Sequence, residues 1–443
     1  MALKGGMAEN RSTLLRRDGL SAAKEVLYEL DKYLSNRLHS FAVPTVDGAV
    51  HDLIEEFIFQ EPPGSPSTGK KFSSLQELQL LEIISSYFHE QSKDALRQLV
   101  FSSLFKPRGN MADPARLSLL SRLLSMAVAV AHAPVLDCTA VWMQRTPVPF
   151  CTELVQSLVE DYCSLVPVVI TTLQQAVTTS PRFCCQLITA ITTLYDLSSG
   201  AFTPPPNLLN VVVTWVCEKP QLTLHNFLNS PIPASSPQGF LDLTPLAGLI
   251  TWCVLSPLVT WVGSKADADA LGSSTVIMNE QKSEKFKQEG EGAEDDQTLM
   301  YSRLHLGVLQ VLQLLYSHMA EKKLLGRLAL ISLDQVSTLV SELKRRGQEF
   351  NPLCPTPRLQ LSLERFAQAM QLSMAMGALL CSRDDLRKVC SGLPPSSLLQ
   401  LVLKGPAQPA PEPFPYYPHI QTTPPSYSAA QSSSSYASFR SIQ

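Results

Sequence analysis

The sequence predicts an all-α protein, and three observations carry that prediction. Apolar residues recur at three- and four-residue steps over long stretches. Capping residues and prolines stand where those stretches begin. No Asn-Gly or Asp-Gly turn joins two alternating segments; Asp18-Gly19 and Asp47-Gly48 lie in helical or polar context. Glycine is scarce, at 20 of 443 residues, and the 33 prolines sit mostly at segment edges, in linkers or in the tail.

The first stripe is Leu15, Leu20, Ala23, Leu27, Leu30, Leu34 and Leu38, one apolar face of a helix. Ser74-Leu75-Gln76-Glu77 fits a capping box, in which the serine oxygen takes an orphan N–H and Glu77 reaches back. Leu78, Leu81, Ile84, Tyr87 and Phe88 continue from it with helical spacing. Asp113-Pro114 and Ser180-Pro181 each set an N-cap residue before a proline at the first helical position. Val166 to Ile170 and Val211 to Val213 are β-branched, yet each runs into helical spacing without a hairpin turn. Asp196 to Gly200 stops the helix that begins at Pro181, and Thr244-Pro245 starts another. Leu117 to Val130 and Arg358 to Cys381 are apolar around most of the helix circumference. Such helices need neighbours on more than one side, which predicts stacked helix pairs, an armadillo- or HEAT-like array without a sharp sequence period.

Leu243 to Val262 runs twenty residues without a charge, the length of a membrane span. Thr244, Thr251, Ser256 and Thr260 dilute it, Pro257 interrupts it, and no basic cluster flanks it. A helix buried on all sides is the expectation; a membrane-associated adaptor using 243–262 is the alternative.

Composition divides the chain into five parts. Residues 1–11 are expected to be disordered, and 12–262 form an N-terminal helical array with a flexible loop at 61–71, EPPGSPSTGKK. Residues 263–297 make an acidic linker too poor in apolar residues to order itself. Residues 298–404 form a C-terminal helical block, and 405–443 a disordered tail rich in Pro, Ser and Tyr.

The formal charge of −3 gives no basic footprint, so direct nucleic-acid binding is not expected. The ten cysteines are spread singly apart from Cys184-Cys185, and Cys138, Cys163, Cys217 and Cys253 fall inside apolar helical stretches. Lys4, Glu9, Arg11, Arg16 and Arg17 break any leader-like apolar run. Reduced thiols and a nuclear or cytosolic address follow. Gly64 to Lys70 imitates a P-loop, but Lys71 stands where a Ser or Thr must hold magnesium. His89-Glu90 lacks the second histidine of a zincin, since position 93 is Lys. Glu289 to Asp296 is a solvated charge run, and no C-x-x-C or Gly-x-Ser-x-Gly occurs. Thus no catalytic residue, no metal site and no cofactor is predicted, although a histidine meeting a cysteine across space leaves no local signature.

Three signals concern partners. Pro424-Pro425-Ser426-Tyr427 matches a PPxY ligand of WW domains, with Pro424, Pro425 and Tyr427 as its contacts. Ser65, before Pro66, has the setting of a proline-directed phosphosite. Lys344-Arg345-Arg346 reads better as cations offsetting a helix macrodipole than as an import signal.

Longer segments carry a family resemblance. LLRRDGLSAAKEVLYELDKYL (Leu14 to Leu34), SLQELQLLEIISSYFHEQSKDALRQLVFSSLF (Ser74 to Phe105), SPRFCCQLITAITTLYDLSS (Ser180 to Ser199), SRDDLRKVCSGLPPSSLLQLVLKGP (Ser382 to Pro406) and PYYPHIQTTPP (Pro415 to Pro425) resemble, in order, the Integrator complex subunit 15 family. The resemblance implies a nuclear, non-catalytic scaffold subunit of the RNA polymerase II-associated assembly that cleaves nascent RNA. Small nuclear RNA 3′-end processing and early transcription termination would be its context; the alternatives are a soluble helical adaptor outside Integrator and the membrane-associated adaptor using 243–262. The resemblance implies Integrator subunits as partners, with subunit 10 and the subunit 13/14 pair forming the arm that this subunit helps attach. Met1 to Arg11 looks like an addition to the family start, and the linker after Val262 is acidic where the family is lysine-rich. Import together with a partner is therefore expected.

Overall fold

Helices form where the apolar spacing puts them, and a computed structural model of the chain has no strand among its described residues. These are 11–38, 48–60, 72–107, 114–165, 170–198, 203–229, 239–259, 281–349 and 356–404. Extended pairing is confined to two isolated bridges, Pro147 with Phe240 and Ile331 with Leu379.

Helix α1 (Gly19–Leu38) begins where Asp18 Oδ1 accepts the Ser21 N–H. That cap places Leu15 ahead of the helix and in solvent, while Leu14 is buried with Ala23, Leu27, Leu30 and Leu34. After α2 (Gly48–Phe57), helix α3 (Ser74–Glu90) is capped by Ser73, not Ser74. Ser73 Oγ accepts the Gln76 N–H, and Gln76 Oε1 accepts the Ser73 N–H at 3.0 Å. Both serines satisfy the S-x-x-E/Q pattern, so the local code is degenerate by one residue. The register turns Leu80, Leu81, Ile84 and Phe88 inward and leaves Leu75 and Leu78 outside.

Helices α4 (Asp94–Phe105), α5 (Pro114–Ala129), α6 (Ala133–Gln144) and α7 (Val148–Val159) follow, and α7 runs into a π-helical turn at Glu160–Leu165. Then come α8 (Ile170–Thr179), α9 (Pro181–Leu194), α10 (Pro206–Glu218), a 3₁₀ turn at Pro220–Leu224 and the short α11 (His225–Asn229). Helix α9 is central. It packs on α6, α7 and α12 (Leu246–Leu255), and every residue from Phe183 to Thr192 is buried. Ser180 caps it through the Phe183 N–H with Pro181 at the first position, as the sequence predicts. At α12 the proline itself occupies the cap, so the helix starts at Leu246, just after Thr244-Pro245.

The uncharged stretch 243–262 therefore yields a helix of only 10 residues, closed by a 3₁₀ turn at Ser256–Leu258. Leu249, Ile250, Trp252, Cys253, Val254 and Leu255 are all buried in the protein. Among the described residues no helix is long and apolar enough to cross a membrane.

The C-terminal helices are α13 (Gln281–Glu321), α14 (Leu333–Glu349), α15 (Pro357–Ala375), α16 (Arg383–Val389) and α17 (Ser397–Lys404). Two features differ from the composition-based division. Helix α13 starts at Gln281, so its backbone is already helical over the second half of the expected linker 263–297. The blocks on either side of that linker also do not stand apart: α13 packs on α10 and α12, and α15 packs on α12, within one compact unit that ends at Lys404. Each block alone would leave apolar faces in water, and hydrophobic burial is blind to the length of chain between them. Residues 1–10, the whole loop 61–71, the segment 263–280 and the tail 405–443 lie outside the described residues. Helix lengths run from 5 to 41 residues, so a regular armadillo or HEAT repeat is not established by these helices.

Directional bonds set the register of this packing. Trp142, Trp215 and Trp252 each donate the indole N–H at 2.8 Å to a backbone carbonyl of a neighbouring segment: Phe105, Gln174 and Tyr195. Phe105 and Tyr195 lie at helix C-termini, where carbonyls lack intrahelical partners. Arg365 on α15 donates to Cys253 O, Ser256 Oγ and Ser302 Oγ, joining α15 to α12 and α13. Lys322, just after α13, donates to Phe227 O and Leu228 O of α11. Arg346 on α14 pairs with Glu342 and donates to Leu197 O beyond α9. Buried Glu55 and Arg116 pair across α2 and α5.

The close approach of α12 to α9 requires Gly248. A Cβ there would lie 2.4 Å from Thr192 Oγ1 and 2.6 Å from Thr192 Cβ, atoms near the backbone of α9 that have little room to yield. Gly248→Ala should destabilise the protein by about 1–3 kcal/mol, the usual penalty of overpacking. Gly48→Ala, where a Cβ meets nothing, should stay within about 0.5 kcal/mol. Urea unfolding of the full chain measures both; equal midpoints would show that α9 and α12 separate freely.

Candidate interaction surface

The chemistry of the thiols comes first, because nine free cysteines fall within the described residues. Burial pushes Cys138, Cys151, Cys185 and Cys253 up to about 12, and Cys163 and Cys390 up to about 11. Cys184 rises well above its ordinary value for the same reason. An activated nucleophile needs the opposite displacement, toward thiolate at neutral pH. Histidine side-chain contacts among the described residues include another ring, a carboxylate, an amide and a backbone N–H: His89 with His132, His51 with Glu55, His318 with Glu321, His305 with Gln368, and His132 with the Val135 N–H. No group of three His, Cys, Asp or Glu among the described residues is placed to hold a metal ion.

The residues singled out by sequence fare unevenly. Ser65, Pro424, Pro425 and Tyr427 lie outside the described residues, as does Gly64 to Lys70. His89 is exposed in the last turn of α3, and Lys93 caps the next helix, so they share no helix face. Lys344-Arg345-Arg346 is engaged internally: Lys344 donates to Val389 O, while Arg345 and Arg346 both bond Glu342. The reading as cations late in a helix fits this placement.

What the fold does offer is a groove. Trp215 donates to Gln174 O and so holds α8 against α10. Thr171, Gln175 and Thr178 of α8 face Thr214 and Glu218 of α10 across an opening of about 360 Å³. Pro220 forces the chain out of α10 into the 3₁₀ turn, and Lys219 ends the helix by donating its N–H to Trp215 O. Beyond that turn lies a second opening of about 630 Å³, walled by Pro181, Leu222, His225, Leu228 and Leu314. Both openings are lined by Val177, Glu218 and Lys219, so they adjoin along those residues and together make one grooved face. Two other cavities, beside Trp142 and beside Arg365, hold about 10 Å³ each, room for one water.

No local pattern announced the groove, because its walls come from residues as far apart as Thr171 and Leu314. The local signal at its edge is Lys219-Pro220, where the proline ends α10. Apolar side chains also stand in solvent elsewhere, with Leu75 and Leu78 on α3, Leu299 and Leu306 on α13, and Leu401 on α17. A groove with mixed polar and apolar walls and scattered exposed leucines suits protein contact better than turnover.

Comparison with known proteins points the same way. A sequence model of the family described as Integrator complex subunit 15 matches residues 8–395. A Homo sapiens protein of that description is 53% identical over 406 residues, covering 91% of this chain and 88% of the relative. A Danio rerio protein so described is 48% identical over 427 residues, covering 95% and 86%. A Drosophila melanogaster protein so described is 29% identical over 402 residues, covering 87% and 93%.

His132 gives this region a pH signature. Its Nδ1 caps α6 by accepting the Val135 N–H, which requires the unprotonated nitrogen. Burial holds its pKa below the ordinary value, with His89 and Arg97 acting in the same direction. Stability is then fully present above the unfolded histidine pKa and is lost as pH falls, because the unfolded chain takes the proton more readily. Urea midpoints should fall between neutral pH and mildly acid pH, and His132→Asn, a cap that does not titrate, should flatten that slope. An unchanged slope in the variant would assign the pH dependence to other groups.

Proposed function

We propose a non-catalytic scaffold role in Integrator for this chain, which belongs to the Integrator complex subunit 15 family. The family match over residues 8–395 carries the reading, since it spans nearly all of the described helices. An Integrator subunit has the other Integrator subunits as its partners. The finer role is attachment of the arm formed by subunits 10, 13 and 14 to the assembly that cleaves nascent RNA polymerase II transcripts. The address is the nucleus, and the processes served are small nuclear RNA 3′-end processing and early termination.

Three physical features support this assignment. Broad helical surfaces with exposed leucines offer contact area. The thiols are displaced away from reactivity. The apolar stretch 243–262 lies inside the protein core over α12, so anchoring a membrane through it would require unpacking Trp252 and its neighbours.

A tagged full-length chain, drawn from nuclear extract, should recover Integrator subunits in stoichiometric amount, with subunit 10 the last to leave as salt is raised. Recovery of a folded, nuclear bait without any Integrator subunit would end this reading. Subunits 10, 13 and 14 staying with the remainder of Integrator after loss of the chain would end the attachment role alone.

A further inference from the structure

We propose that the groove between α8, α10 and α11 receives an extended segment of a partner protein, with a basic side chain of that segment placed on Glu218. The proposal deepens the scaffold reading and rests on it. Its first support is the chemistry of the rim. Gln174, Gln175 and Gln221 line the groove, and among the described residues none of their amides has a hydrogen-bond partner. A carboxamide presents both a donor and an acceptor. An extended main chain presents the same pair at every residue, whereas a helix has satisfied its own. The amide rim therefore fits an extended strand of peptide, and the apolar wall at half-buried Leu228 and Leu314 takes side chains from one of its faces.

The second support is charge. Glu218 and Lys219 are adjacent, exposed and without an ion-pair partner among the described residues. They stand where the two openings meet. Glu218 is the last residue of α10, whose C-terminus adds partial negative charge beside the carboxylate. A Lys or Arg against Glu218 satisfies that field, and an acidic neighbour along the peptide meets Lys219.

The test uses the full-length chain and synthetic peptides of about 15 residues tiled over the other Integrator subunits, long enough to cross the groove at about 3.3 Å per residue. Binding is read by fluorescence anisotropy. At least one peptide carrying a basic residue should bind, and Glu218→Lys should weaken it about tenfold. Replacing the peptide's basic residue by Glu should restore binding to Glu218→Lys, a rescue that misfolding does not produce. Because Glu218 is exposed, the urea midpoint of the variant should match the parent. Deleting residues 405–443 should leave the affinity unchanged. Three results overturn the proposal: no peptide binds, binding ignores Glu218→Lys, or affinity rises when 405–443 is removed, which would make the chain's own tail the occupant. Recovery of Integrator subunits by the tagged chain is a separate result, so the groove assignment can fail while the scaffold reading stands.

Discussion

The seat of α13 on α10 and α12 is the interaction on which the rest of the molecule depends. Tyr301, Leu304, Val308, Val311, Leu312 and Leu315 are all buried along it, and so are Trp215, Val216 and Trp252 on the facing helices. Each large apolar side chain withdrawn from water in this way is worth about 1.5–3 kcal/mol. Helices α9, α10 and α12 are apolar around most of their circumference, so a single layer cannot cover them. The chain answers that constraint by folding residues beyond 281 back over the array. Close approach makes the seat specific: a Cβ on Gly307 would meet Val216 Cγ1 at 3.1 Å and Cys217 Sγ at 3.2 Å.

Burial alone would let these helices slide and rotate, because it is non-directional. The polar clamps remove that freedom. Arg365 reaches three acceptors on α12, α13 and the intervening 3₁₀ turn, all of them neutral, and burial pulls its pKa down. A buried cation of this kind contributes little net stability, but it holds one arrangement in preference to others. Lys322 and Arg346 act similarly on backbone carbonyls at Phe227, Leu228 and Leu197. Together they tie the C-terminal helices to particular residues of the N-terminal array.

This construction keeps most of the described thiols in the interior and leaves the groove and the exposed leucines at the surface. The interior thiols are locked in apolar surroundings and protonated. The groove exists because α8 and α10 are pinned by Trp215 while Pro220 turns the chain aside, and α13 closes one wall with Leu314. Its shape therefore depends on the same packing that unites the two halves of the chain, which suits a family whose work lies inside a larger assembly.

The all-α class was legible because its signals are local: the 3.6-residue period, Ser180-Pro181 at the start of α9, and the missing hairpin turns each act within a few residues. The absence of a local catalytic signature was legible on the same grounds, and the long segments from Leu14 to Pro406 carried the family. Only the tertiary structure decided which of Ser73 and Ser74 caps α3, since both fit the local pattern. The union of the blocks on either side of 263–297 was equally hidden, because composition reports whether a segment orders itself and not what its flanks bury. So was the groove, whose walls span Thr171 to Leu314. The amino-acid sequence by itself determined helices and kinship, which depend on near neighbours. The fold decided partition, burial and surface, which depend on apolar faces finding one another at any distance along the chain.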